Sequence, residues 1–143
     1  MFMNERSIAR RALPILLAIA ASACGPSPEK LEAERMLRAI DKLRNAPSEP
    51  IEARMELLKQ LEKEPAQSQE AKRARDACVK AYAHMLEGQT LKRRVSEALK
   101  DPSKLGADTV RDLGEAESQI KSSIEFMPEC SEATFQLRRP RER

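Results

Sequence analysis

Few residues in this chain of 143 could do chemistry. It has one histidine, His84, with Glu87 one helical turn later. A zinc site needs His, Cys or carboxylate ligands at matched spacing. A di-iron bundle needs Glu-x-x-His pairs, and the residue three before His84 is Ala81. His84 therefore reads as a structural or surface residue. Cys78 and Cys130 lack the Cys-x-x-Cys spacing of redox and zinc motifs. There is no Gly-x-Ser-x-Gly elbow and no Walker-type phosphate loop, and the whole chain holds four Gly. Carboxylates are plentiful, but on charged helical faces they carry no catalytic signal. The expectation is a protein that is not an enzyme and takes no cofactor or metal.

The third cysteine, Cys24, stands in a different context. Residues 1–11 carry Arg6, Arg10 and Arg11 against Glu5. Residues 12–23 are almost wholly apolar and contain Pro14. This run falls short of the ~20 apolar residues that a membrane-spanning helix needs. It fits the apolar region of a secretory signal. The signal ends Ala21-Ser22-Ala23-Cys24, and here the chain resembles the bacterial lipoproteins. That resemblance covers residues 1–24 alone. It implies cleavage before Cys24, acylation of Cys24 and attachment to a lipid bilayer. Gly25 after the cysteine fits the outer-membrane branch of that family, with the domain facing the periplasm. Ala-x-Ala also suits ordinary signal peptidase, so a soluble secreted product stays open. Residues 24–28 would be the lipidated cysteine and its tether, and four extended residues reach at most ~14 Å.

Removing the signal takes Arg6, Arg10, Arg11 and Glu5 with it, and the net charge falls from +3 to +1. The last six residues hold Arg138, Arg139, Arg141 and Arg143 against Glu142. They read as a disordered basic tail with candidate contacts to an anionic surface. The near-neutral remainder and the shortage of aromatics argue against nucleic acid.

The elements that carry these residues are separated by prolines. Ser27-Pro28-Glu29 combines an N-cap, a first-turn proline and an early acid. A helix over about 28–45 then places Ala33, Met36, Leu37, Ile40 and Leu43 at helical spacing. A second, starting near Ser48-Glu49-Pro50, puts Ile51, Met55, Leu58 and Leu61 on one face and stops before Pro65. The third and longest runs from about Ser68 to Lys100. It carries the stripe Ala71, Ala74, Cys78, Ala81, Met85 beside a second, Val79, Tyr82, Leu86. A fourth starts near an N-cap at Asp108, with Val110, Leu113, Ile120, Ile124 and Met127 as its face. Pro128 should end or kink it, leaving a short helix with Cys130, Ala133 and Leu137 on one side. The fold class is all-α: about four helices over residues 29–137, in an up-down or two-hairpin bundle.

Register then pairs the cysteines. If the third and fourth helices form an antiparallel hairpin turning near residue 104, residues at one level sum to about 208. Gly88 faces Ile120, Tyr82 faces Phe126, Val95 faces Leu113, Ala98 faces Val110, and Cys78 faces Cys130. An oxidising compartment makes that pair a disulfide.

The function expected is a membrane-anchored helical interaction or scaffold module of the bacterial cell envelope, with an envelope protein as partner. The chain is similar to pilotin lipoproteins, which escort secretion-system subunits, in size, class and anchor alone. The alternative is a structural lipoprotein that binds an anionic surface or polymer through its tail.

Overall fold

A proline or a proline-containing loop punctuates each of the first three helices. The computed structural model describes residues 25–139. It contains α1 (Pro28–Asn45), α2 (Ile51–Lys63), α3 (Gln69–Leu99), a 3-10 turn at Pro102–Lys104, and α4 (Ala107–Arg138). No strand occurs among the described residues. The fold is a small helical bundle stapled by one disulfide.

Local chemistry starts the helices as the sequence suggests. Ser27 caps α1, its side chain accepting from the Lys30 N–H at 3.3 Å, with Pro28 in the first turn. Ser68 caps α3 through the Ala71 N–H at 3.2 Å. Glu32 of α1 reinforces that cap, since its carboxylate also accepts the backbone N–H groups of Gln67 and Ser68. Burial works to raise the Glu32 pKa. The N–H donors, the Ser68 hydroxyl and nearby Arg35 outweigh it and hold the carboxyl below its ordinary value. Glu32 thus ties α1 to the positive end of α3.

The long hairpin of α3 and α4 is the spine. Their interface is the largest between helices among the described residues. At about 1.5 Å per residue, α3 spans about 46 Å. α1 and α2 cover one half of it. Met36, Ile40 and Leu43 of α1 and Ile51 and Leu61 of α2 form one core with Ala71 to Leu86 of α3 and with Cys130, Ala133 and Leu137 of α4. Beyond Leu86 the two long helices are each other's main cover, and Gly88, Leu91, Val95 and Ala116 are buried there. Arg93 bridges from α3 to Glu52 near the start of α2 at 2.6 Å.

Three expectations are corrected. α4 does not stop at Met127 but continues through Pro128 to Arg138. An interior proline costs about 3 kcal/mol. Here it lies on the exposed side of the helix, where water can take the carbonyl it orphans. The segment beyond it is held by the disulfide, by burial of Ala133 and Leu137, and by Thr134, whose hydroxyl donates to the Cys130 carbonyl at 2.6 Å. α4 also begins two residues early, after Gly106, and Asp108 pairs with Arg111 at 2.9 Å instead of capping. On α2, Met55 is exposed and Arg54 takes its place in the interior. The Arg54 stem covers apolar surface while Nη1 donates to Gln89 Oε1 at 3.3 Å.

Candidate functional site

The register of the hairpin follows the 208 sum. Cys78 and Cys130 are bonded, with Sγ–Sγ at 2.04 Å and Cα–Cα at 4.5 Å. At Gly88, an added Cβ would lie 2.8 Å from Ile120 Cγ1. Phe126 sits at the level of Tyr82, stacked on His84 at 5.3 Å and covered by the Lys80 ammonium at 3.6 Å.

The rotation of α4 about its own axis differs from the expectation. Val110, Leu113 and Ile124 do not face α3. They are 73%, 55% and 68% exposed. The face toward α3 is built instead from Ala116, Ile120, Ser123, Met127, Cys130, Thr134 and Leu137. The cause is helix separation. α3 presents Ala71, Ala74, Cys78, Ala81 and Gly88, which let the two backbones approach closely. Small residues of α4 (Ala116, Ser123, Cys130) line this close approach, Ile120 lies over Gly88, and Val110, Leu113 and Ile124 fall on the far side. Of the pairs expected from register, Val95–Leu113 and Ala98–Val110 are therefore not made as buried contacts.

The outcome is a solvent-facing apolar stripe on α4. Leu113, Ile124 and Phe135 (51% exposed) follow one another at eleven-residue intervals, and Val110 lies beside them. Eleven residues make three turns with a drift of about 20°, so the stripe runs straight along the helix for about 33 Å. Glu117 lies within it, between Leu113 and Ile124, while Lys121, Glu125 and Glu129 border it, and none of the four forms an ion pair among the described residues. Leu99 and Leu105 extend the exposed apolar surface to the hairpin tip. Large apolar side chains exposed along one helix face make that face a candidate interaction surface. Val110, Leu113 and Ile124, expected in the core of α4, belong to the stripe instead, whereas Ile120 and Met127 face α3 as expected and Phe135 carried no expectation.

The other candidate residues fall as follows. Cys24, Arg141 and Arg143 lie outside the described residues. Arg138 is the last helical residue of α4 and not part of a tail, because its guanidinium donates to both Asp41 carboxylate oxygens at 3.0 and 3.2 Å. Arg139 caps the helix and lies over the Phe135 ring at 4.5 Å. Both arginines also line a cavity of about 440 Å³ with the cap residue Ser27, Lys30 of α1 and an apolar floor of Ala33, Leu37 and Leu137. The point where the chain enters α1 and the point where it leaves α4 therefore share one cavity. Glu29, Glu34 and Glu70 complete the rim, so its charge is mixed. A second cavity of about 300 Å³ lies between α1 and α2, with Arg35, Arg38 and Lys42 along one edge.

His84 Nδ1 is 2.6 Å from Gln119 Oε1, a hydrogen bond that joins α3 to α4. Among the described residues, no three His, Cys, Asp or Glu side chains are placed to hold a metal ion. No helix among them is long and apolar enough to cross a membrane. The chain matches no family model, no curated protein and no solved structure.

Proposed function

We propose that this protein is a lipid-anchored component of the bacterial cell envelope, and that its helical bundle acts as a non-catalytic docking module. The observation that carries the docking role is the outer face of α4. A stripe of Val110, Leu113, Ile124 and Phe135 left in water is costly unless something covers it. The anchor rests on residues 1–24 and their resemblance to lipoprotein precursors. The disulfide supports an oxidising compartment, because cytosolic thiols are kept reduced. Acyl chains on Cys24 would hold the bundle close to the bilayer, since one chain gives marginal binding and two or more give stable anchoring. A pilotin-like escort is the narrower form of this reading.

Two measurements test it. The intact mass of the protein purified from membranes should correspond to cleavage before Cys24 plus its acyl groups. Cys24→Ser should release the protein from the membrane fraction. A full-length, unacylated protein would overturn the anchor. Proximity labelling from the anchored protein should return specific neighbours that Ile124→Glu removes, and an unchanged neighbour set would overturn the docking face.

A second reading, an anionic surface held by the basic tail, is favoured by the shared cavity, which sets the tail's departure beside the anchor's arrival. Arg138 and Arg139 are already engaged within the fold. The test is therefore deletion of residues 140–143, which should weaken binding to anionic vesicles while leaving the bundle's melting temperature unchanged.

A further inference from the structure

We infer that the partner of the outer α4 face is a second copy of this chain, bound antiparallel about a two-fold axis through Ile124. The inference rests on the reading of that face as a docking surface. Its basis is the symmetry of the stripe. Leu113 stands eleven residues before Ile124 and Phe135 eleven residues after it. When two such helices pack antiparallel with Ile124 against Ile124, each Leu113 meets the other chain's Phe135. A leucine beside an aromatic ring fills the space well, and the pairing closes over Leu113, Ile124 and Phe135 of both chains, with Val110 at the level of the partner chain's Arg138. That is the self-complementarity an isologous two-fold interface demands. A stripe without this spacing would leave one end uncovered.

At the centre of the stripe charge agrees with the geometry, whereas toward its ends Glu117 approaches the partner chain's Glu132 as a like charge. A two-fold axis perpendicular to both helices brings each flank of the stripe against the same flank of its copy. Lys121 and Glu125 share one flank, and neither forms an ion pair within the described residues. In the dimer the level of Lys121 falls two residues from the level of the partner chain's Glu125, about 3 Å along the axis. Two reciprocal ion pairs then border the apolar centre. Glu117 meets the level of Ser131, whose hydroxyl can donate to it. Glu132 lies near the same level, and its carboxylate already accepts from Gln136 at 2.6 Å.

The area is adequate for a modest dimer. The four exposed apolar side chains offer on the order of 400 Å² per chain, about half of what a standard interface buries on each partner. The polar flanks supply the rim that surrounds such a centre. The antiparallel arrangement sends the two amino termini in opposite directions. Both anchors reach one bilayer when the paired helices lie along its surface with the two-fold axis along the membrane normal.

Cysteine cross-linking tests this directly, in the full chain carrying Cys24→Ser. Ile124→Cys should form a disulfide-linked dimer on mild oxidation at least tenfold more readily than Leu113→Cys or Phe135→Cys alone. A mixture of the Leu113→Cys and Phe135→Cys chains should cross-link to each other. Ile124→Glu, at an exposed site, should keep its helical circular dichroism and sediment as a monomer where the parent sediments as a dimer. Equal cross-linking at all three single sites, or a parent chain that remains monomeric, overturns the second copy. In that event a photoreactive residue at position 124 in cells separates two failures. Capture of one different protein overturns the dimer and leaves the docking face standing. Capture of nothing overturns both.

Discussion

Gly88→Ala and Gly114→Ala are the same exchange in two helix interiors, and the structure gives them opposite signs. In an exposed helix, alanine is favoured over glycine by about 1 kcal/mol, because glycine loses more backbone freedom on folding. Gly114 has nothing within 4 Å of where its Cβ would stand. Gly114→Ala should therefore gain about 0.5–1 kcal/mol. Gly88 has three close neighbours: Ile120 Cγ1 at 2.8 Å, the Ala116 carbonyl oxygen at 3.2 Å and the Ile120 nitrogen at 3.2 Å. The first is a side-chain atom and can rotate aside. The other two belong to the α4 backbone and move only if α4 moves. α4 is bonded to α3 ten residues away through Cys78 and Cys130, so it cannot simply slide off. Overpacking of this kind costs about 1–3 kcal/mol, and the propensity gain offsets up to about 1 of it. The net loss expected for Gly88→Ala is about 1–2 kcal/mol. The two variants should thus differ by about 1.5–3 kcal/mol, roughly 5–15 °C in melting temperature for a domain of this size. Urea denaturation of the oxidised protein, read by circular dichroism, measures both. If Gly88→Ala stabilised the protein as Gly114→Ala does, the close approach of α3 and α4 would be refuted, and with it the explanation of the outward apolar stripe.

Three further outcomes are expected. Replacing Cys78 and Cys130 together by Ala removes a closed loop of 52 residues and should lower stability by about 4 kcal/mol. The parent should show no alkylatable thiol at either position without reductant. Glu32 is held below its ordinary pKa in the fold, so its stabilising effect is complete above the unfolded value near 4.5 and is lost as the pH falls through the lower folded value. Glu32→Gln should therefore cost about 1–2 kcal/mol at pH 7, and the gap to the parent should narrow toward pH 3. A gap that is constant with pH would contradict the assignment. Arg54 is 6% exposed with its Nε unpartnered. Arg54→Met should leave stability within about 1 kcal/mol of the parent or raise it, whereas a loss above about 2 kcal/mol would show a partner for that nitrogen.

Much of the fold was legible because it is written locally. Ser27 and Ser68 cap the helices they precede, prolines punctuate the first three helices, and apolar periodicity identifies the buried sides of α1 and α3. Axial register was legible too. Two helices of equal rise joined by a short turn can meet at one set of levels, and those levels pair Cys78 with Cys130 and Gly88 with Ile120. Arg54 was not legible, because its burial depends on Gln89 arriving from another helix. Nor was the passage of α4 through Pro128, where the local penalty is overruled by the disulfide and core contacts beyond it.

The sequence by itself determined where α1, α2 and α3 lie and which residues of α3 and α4 share a level. The tertiary structure alone decided how α4 is turned about its axis. Helix boundaries depend on capping and backbone propensity, which act within a few residues. Rotation depends on how near the neighbouring backbone comes, and that distance is set by Ala71, Ala74, Cys78, Ala81 and Gly88 on another helix. Periodicity marks Leu113 and Ile124 as one apolar side of α4, but only packing against α3 turns that side outward.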